Sequence, residues 1–369
     1  MNNLSKQKIS LIFGGVSAEH DLSLRAFHNI YTELQQQRNP DTIYQNVYYI
    51  KEDGLVIKKP FNFAKEADYY ISRHDNTMTV LETLQQIKVN NEYVFSLLYG
   101  IYGEDGHFQG LSKTLDINSS FGSVRSSSLS KNKYLCSRYI EEEYPELEPI
   151  PIIPIRVEDI SDIKEKLRPF YGQEIVVKPN ALSTSMMTER FLLNEDSICD
   201  VSNLIVMILQ YDDMALVQKY IAGEEYSCGC IENLNTIDVL PLILVRTKNN
   251  FFGRREKLCK FGVSERIVPH QYTPYTEQIA VISKRIFANL MFENMLHLDF
   301  IVSAGKIYFL EINALPGLSR VSHFPKMLGK INISMADFIQ LTYQNSLKRG
   351  NKESQFRDGM DWNCLARST

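Results

Sequence analysis

The chain has 369 residues, enough for two or three domains. Its 40 Lys and Arg against 44 Asp and Glu leave a formal charge of −4, without the basic excess of a nucleic-acid binder. Hydrophobic residues at 44% and charged residues at 23% are ordinary globular shares and exclude a disordered chain. No run approaches the ~18–20 apolar residues of a membrane span. The start, Met-Asn-Asn-Leu-Ser-Lys-Gln-Lys, lacks the pattern of a secretory signal. The six cysteines (Cys136, Cys199, Cys228, Cys230, Cys259, Cys364) are scattered, which points to reduced thiols in a cytoplasmic protein. The lone Cys228-Gly229-Cys230 is too little for a zinc site. Glycine is scarce, 18 residues or about 5% against a usual ~7%, so the places where glycines cluster carry information.

In chain order, Ile9 to Phe13 reads as a strand, Gly14-Gly15 as a turn, and Ala18 to Gln36 as a helix. Leu24, Phe27, Tyr31 and Leu34 give that helix one apolar face, with Ser17 as its N-cap and Glu19 in its first turn. Strands are expected at Gln45 to Ile50, Leu55 to Lys58 and Tyr93 to Leu98. Strand–helix alternation implies a parallel sheet with its loops at the carboxyl edge. Four prolines (Pro145, Pro149, Pro151, Pro154) mark entry into a second domain. There, strands are expected at Ile152 to Val157, Glu174 to Lys178 and Glu189 to Leu193, with helices at Ile160 to Leu167 and Asp196 to Gln210. The polar segment Asn180 to Met187 reads as a loop. A third region opens with Ala215 to Ile221, followed by strands at Tyr226 to Ile231 and Val239 to Val245. Asn249 to His270 reads as a long polar loop carrying Arg254, Arg255, Lys257 and Lys260, a length common in lids but also in plain surface loops. Thr273-Pro274 then starts a helix whose stripe Ile279, Ile282, Ile286, Leu290 belongs in the core. After Lys348 the chain reads as a poorly ordered polar tail.

The most chemical stretch is MLHLDFIVSAGKIYFLEINALPGLS, residues 295–319. Two β-patterned runs flank the turn Ser303-Ala304-Gly305-Lys306, as in a hairpin. Alternation puts His297 and Asp299 on one face of the first run and Leu296, Leu298 and Phe300 on the other. In the second run it groups Tyr308, Leu310 and Ile312 against Phe309, Glu311 and Asn313. Asp299, Glu311 and Asn313 then converge, and two carboxylates with an amide oxygen suit Mg²⁺. A solvated sheet face carrying a carboxylate pair is the plain alternative.

Five blocks in order make the chain resemble the D-alanine–D-alanine ligases, a branch of the ATP-grasp carboxylate–amine ligases. They are LIFGGVSAEHDLSL, YGIYGEDGHFQGLSKTLDI (with Tyr99 where His is usual), VVKPN, ALVQKYIAGEEYS and LEINALPGLSRVSHFPKML. The resemblance implies an α/β protein (α+β ATP-grasp) of three domains. These are an N-terminal substrate-binding, parallel-sheet domain at 1–145, a central ATP-grasp subdomain at 146–220 and a C-terminal catalytic domain at 221–348, with the tail at 349–369. It implies ATP and two Mg²⁺ ions, with Mn²⁺ possible in their place. The partners it implies are small amino-acid-like substrates, one of them conceivably carrier-bound, and a homodimer.

Carried over one at a time, Lys133 and Lys178 resemble the ATP-phosphate lysines, with Lys131 an alternative to the first. Gln218, Lys219, Tyr220 and Ile221 resemble the adenine hinge, and Glu225 the ribose carboxylate. Lys257 resembles the lid lysine at the γ-phosphate. Asp299, Glu311 and Asn313 would hold the metals. Glu19 would take the first substrate's ammonium, while Gly317 and Ser322 would lie near the second substrate. Thr184 and Ser185 keep hydroxyls of the family's glycine-flanked serine loop.

Three departures surround the substrate. The family's Arg-x-Asp-Phe is His297-Leu298-Asp299-Phe300, and His is neither permanently charged nor bidentate. The Gly-Ser-Ser-Val-Gly loop is Ser183-Thr184-Ser185-Met186-Met187, without glycines that reach positive φ easily. The lid Tyr is Leu258. The expectation is retained acyl-phosphate chemistry on substrates other than D-alanine, with His297 or the 183–187 loop as the switch. A true D-alanine–D-alanine ligase of peptidoglycan synthesis and a degenerate ATP-binding module are the rivals. A dehydrogenase lacks its GxGxxG and a serine or cysteine hydrolase its nucleophile elbow. Among the other histidines, His28, His74, His107 and His270 are expected in structural or surface roles. His20 either orients Glu19 or caps the helix.

Overall fold

The computed structural model describes residues 7–37, 42–71, 75–183, 185–247 and 263–359. Their strands form three sheets, each built from one of the three stretches of chain read above. The first holds β1 (Gln7–Gly14), β2 (Thr42–Ile50), β3 (Val56–Pro60), β4 (Thr77–Met78) and β5 (Tyr93–Ser96), in the order β4-β3-β2-β1-β5. β1 lies between β2 and β5 and pairs parallel with both, whereas β3 and β4 extend the edge antiparallel. Burial on both faces of a parallel strand explains the unbroken apolar run from Leu11 to Phe13.

The helix His20–Gln36 lays Phe27, Ile30, Tyr31 and Leu34 on this sheet, and the Phe27 ring stacks on Phe13 at 3.9 Å. Leu24 is only half-buried. The N-cap is Glu19, not Ser17. Ser17 instead accepts a hydrogen bond from the Glu19 N–H and donates to the Tyr99 carbonyl, so its hydroxyl ties two loops together. Gly14 is required where it stands. Its φ is +91°, and a Cβ there would lie 2.0 Å from the Ile50 carbonyl oxygen, the atom that accepts from the Gly15 N–H.

The second sheet is antiparallel, with β6 (Ile152–Ile155), β7 (Glu174–Pro179), β8 (Glu189–Leu192) and β9 (Ala215–Lys219) in the order β6-β9-β7-β8. The expected helix at Ile160 to Leu167 is a 3₁₀ turn, Val157–Asp162, followed by a short α-helix, Ile163–Leu167. The next helix is Ile198–Ile208.

The third sheet comprises β10 (Glu224–Asn233), β11 (Thr236–Val239), β12 (Leu242–Thr247), β13 (Val263–Val268), β14 (Met295–Ser303) and β15 (Lys306–Asn313). The run Val239 to Val245 is therefore two strands. Pro241, which has no N–H for a ladder, falls between them. The segment read as a loop over Asn249 to His270 also holds a strand, since β13 pairs antiparallel with β12. Arg254, Arg255, Lys257, Leu258 and Lys260, like Thr184, lie outside the described residues. The helix Pro274–Asn289 is capped as its sequence predicts, Thr273 accepting from the Thr276 N–H, and Ile279, Ile282 and Ile286 are buried. The last helix, Met335–Gly359, runs on into the segment read as a tail, and Arg349 pairs with Glu232 and Glu293.

The hairpin β14–β15 corrects the expected face assignment. Asp299 pairs with Glu311, but Phe300 pairs with Phe309, so Leu310 is an extra residue bulged out of register. A one-residue bulge reverses the parity beyond it. Phe309 consequently joins Ile307 and Ile312 in the core, and Leu310 faces the same cleft as Glu311.

Candidate active site

An open cleft lies between the second and third sheets. β7 contributes Lys178, and β9 and the chain after it contribute Gln218, Lys219, Tyr220 and Ile221. β10 contributes Glu225, and the hairpin contributes Asp299 and Glu311. Lys133 enters from the start of the helix Lys133–Glu143, and Ser185 from the loop after β7. Residues scattered over nearly half of the chain, from Lys133 to Glu311, thus converge because two antiparallel sheets face one another.

The two candidate phosphate lysines separate clearly. Lys133 lines the cleft, where its Nζ donates to the carbonyls of Leu182 (2.6 Å) and Asn180 (3.3 Å). Burial pulls its pKa below the ordinary lysine range, and the nearby charge of Lys131 adds to this while Glu311 opposes it. Lys131 does not line this cleft. Its Nζ donates to Glu104, to the Ser183 hydroxyl at 2.7 Å and to Glu19 at 3.5 Å.

That second cluster borders a smaller cavity lined by Glu104, Lys131, Lys133, Ser183, Glu311 and Asn313. It shares Lys133, Ser183 and Glu311 with the large cleft, so the two are neighbours. Glu19 is held above the ordinary carboxylate range by burial first and by the charge of Glu104 second, with Lys131 opposing both. Glu104 and Ser183 escaped the residue-by-residue reading of the sequence. Glu104 stood in plain view within YGEDG, but nothing in its spacing showed that it would meet Lys131.

The metal-type donors fit a hard cation. Asp299 faces Glu311 across the hairpin and His297 faces Asn313, which brings two carboxylates and an amide oxygen to one end of it. Among the described residues no group of three or more His, Cys, Asp or Glu is placed to hold a metal ion. Asp299 also accepts from Ser227 at 2.5 Å, and Ser227 is joined to His323 at 3.0 Å. His323 in turn lies 3.3 Å from Glu265. This chain of contacts orients the carboxylate from behind. The His297 Nε2 is 3.6 Å from Asp299, and its ring meets that of His323 edge-on at 6.0 Å. His297 lines neither cavity.

Gly317 and Ser322 meet each other, since a Cβ on Gly317 would lie 2.8 Å from the Ser322 hydroxyl. Their turn is tied to the first sheet by Tyr99, whose phenol donates to the Pro316 carbonyl and accepts from the Leu318 N–H, both at 3.1 Å. Tyr99 therefore links the Gly317 turn to the loop carrying Ser17 and Glu19. In the glycine-free loop, Ser185 and Met187 adopt φ of +52° and +49°, so the backbone keeps a glycine-like path without glycine. His20 neither orients Glu19 nor caps its helix. It bonds the Gly15 carbonyl at 2.6 Å and the Tyr49 hydroxyl at 3.2 Å.

Two antiparallel sheets facing across a cleft lined by lysines and carboxylates agree with the ATP-grasp fold of the carboxylate–amine ligases. The sequence matches the family profiles described as D-ala D-ala ligase N-terminus over residues 8–120 and D-ala D-ala ligase C-terminus over 152–342, and the chain belongs to this family. It is thus an ATP-dependent enzyme that forms a C–N bond between a carboxylate and an amine. A D-alanine–D-alanine ligase of Fervidobacterium nodosum is 27% identical over 353 residues, covering 92% of this chain and 99% of that protein. One of Borrelia garinii subsp. bavariensis is 28% identical, covering 94% and 99%. Among solved structures, the VanG D-Ala:D-Ser ligase of Enterococcus faecalis superposes with a TM-score of 0.75 at 19% identity, over 93% of this chain and 100% of that one. The D-alanine–D-alanine ligase of Bacillus anthracis complexed with ATP gives 0.67 at 24% identity, over 94% and 99%.

Proposed function

We propose that the enzyme binds Mg-ATP in the large cleft and activates a small carboxylic acid other than D-alanine in the adjoining cavity. The carboxylate oxygen attacks the γ-phosphorus of ATP and the bond to ADP breaks. An amine then attacks the acyl carbon, a proton is lost, and inorganic phosphate leaves. No step requires an enzyme nucleophile, so the chain works by positioning and charge neutralisation. Lys133 and Lys178 bind the ATP phosphates, and the family resemblance adds Lys257 as a third phosphate lysine. Gln218 and the Lys219–Ile221 backbone read adenine, and Glu225 takes the ribose hydroxyls. Asp299, Glu311 and Asn313 would hold Mg²⁺, or Mn²⁺, which offsets phosphate charge when bound. Ser185 and Thr184 cover the phosphates, and Gly317 with Ser322 borders the amine. His297 acts by orienting Asp299.

The observation that carries this reading is the cleft itself, which gathers the nucleotide- and metal-type residues on its walls. Cytoplasmic action is part of the proposal and is consistent with free thiols at Cys136, Cys199, Cys228 and Cys230. No helix among the described residues is long and apolar enough to cross a membrane. A homodimer is the assembly the family resemblance favours. The test is ADP and phosphate release across D- and L-amino acids and related acids, with Glu311→Ala as control. Release that requires an acid and falls at least ~100-fold in the variant supports the reading. Robust release with D-alanine as sole substrate would instead make this an ordinary D-alanine–D-alanine ligase.

A further inference from the structure

Resting on that reading, we propose that Lys131 supplies from within the chain the ammonium group that an amino-acid substrate would bring, so that the acid activated here carries no free ammonium. A lysine ammonium has three N–H donors. Lys131 has three acceptors for them, Glu104, Ser183 and Glu19, which belong to three separate segments. The side chains of Lys131, Glu19 and Glu104 are only 10%, 4% and 8% exposed, so the group is built into the wall. Burial opposes the charge on Lys131, but Glu104 and Glu19 together hold its pKa up at about 12, and the cation persists across the working pH range.

The consequence is a matter of charge and space. Glu19 is the carboxylate to which the family resemblance assigns a substrate ammonium, and Lys131 already stands against it. Lys131 cancels one of the two carboxylate charges and takes up their acceptors, so the cluster holds a second ammonium less strongly than the bare Glu19–Glu104 pair would. A hydroxyl, a hydrogen or an acylated nitrogen has no need of that carboxylate charge. The cavity beside the cluster is also lined by Glu311 and Asn313, so an acid bound there lies next to the proposed metal ligands. The acid class is accordingly a 2-hydroxy acid, a simple short carboxylic acid or an N-acylated amino acid.

Hydroxylamine trapping tests the acid without knowledge of the natural amine. The acid attacks ATP, ADP leaves, and the hydroxylamine nitrogen displaces phosphate from the acyl phosphate with loss of a proton, giving a hydroxamate. Matched probes are D-lactate with D-alanine, L-lactate with L-alanine, glycolate with glycine, and N-acetyl-D-alanine. The wild-type enzyme is expected to favour the ammonium-free member of a pair at least tenfold in kcat/KM. Lys131→Met should reverse that ratio by opening Glu19 and Glu104 to a substrate ammonium. That variant leaves two buried carboxylates uncompensated, so Lys131→Met combined with Glu104→Gln keeps the test available if the single variant fails to fold. Amino acids outrunning their partners in the wild type would overturn the inference, as would an unmoved ratio in a folded variant. Should neither variant fold, the wild-type ratio alone decides. Absence of ATP-dependent hydroxamate from every acid would overturn the ligase reading, and this inference with it.

Discussion

The nucleotide cleft and the acid cavity share walls but are built differently. Around the cleft, Lys178, Gln218, Glu225 and Glu311 line an open volume. Around the acid cavity, the polar groups are spent on each other. Lys131 is held by Glu104, Ser183 and Glu19. The contrast teaches that the proposed nucleotide residues reach their cleft from separate strands, whereas the neighbouring cavity has a wall of side chains bonded to one another.

The largest effect should come from the cleft. Lys178→Ala is expected to lower kcat/KM for ATP by about 100- to 1000-fold, the usual cost of removing one group that stabilises transition-state charge. A loss under tenfold in steady-state ADP release would break the assignment. Next comes the pH dependence of ATP binding. Lys133 has a lowered pKa in the free enzyme, and bound phosphates must raise it. Between those two values binding takes up a proton, so affinity falls as pH rises, by at most about tenfold per unit. Isothermal titration of a non-hydrolysable ATP analogue should show this slope, and Lys133→Met should abolish it.

Tyr99→Phe is smaller and spans both regions. It leaves the Pro316 carbonyl and the Leu318 N–H without the phenol, at about 1–3 kcal/mol. A lower melting temperature should accompany a raised KM for the amine, with KM for ATP unchanged. His297→Arg sharpens the comparison from the other side. With Lys131 in place it should raise D-alanine-dependent phosphate release less than about threefold, because Lys131 still occupies Glu19 and Glu104. A larger gain would move the switch to position 297. Smallest of all, Ser185→Gly relieves a left-handed backbone and should raise the melting temperature by about 1 °C in a thermal scan.

Much of this was legible in the residues. Gly14 and Gly15 marked the first turn, Gly14 because only glycine tolerates the Ile50 carbonyl so near and Gly15 through its positive φ. Thr273-Pro274 announced a helix start, and the cap is there. Strand patterning located the hairpin that carries Asp299 and Glu311, and the order of five blocks indicated the ligase fold. These features are local, since turns, caps and periodicity depend on neighbours within a few residues.

What the tertiary structure decided is where distant segments meet. The bulge at Leu310 reversed the face of Phe309, because register depends on the partner strand and not on the strand's own pattern. The choice between Lys131 and Lys133 was equally beyond the sequence. They stand two residues apart, at the junction of the helices Val124–Lys131 and Lys133–Glu143, where the chain turns. One side chain therefore enters the nucleotide cleft while the other meets Glu19, Glu104 and Ser183. Sequence determined that this protein is an ATP-driven ligase. Packing decided that a buried cation, Lys131, meets Glu19, because the two lie on segments far apart in the chain and only the fold brings them together.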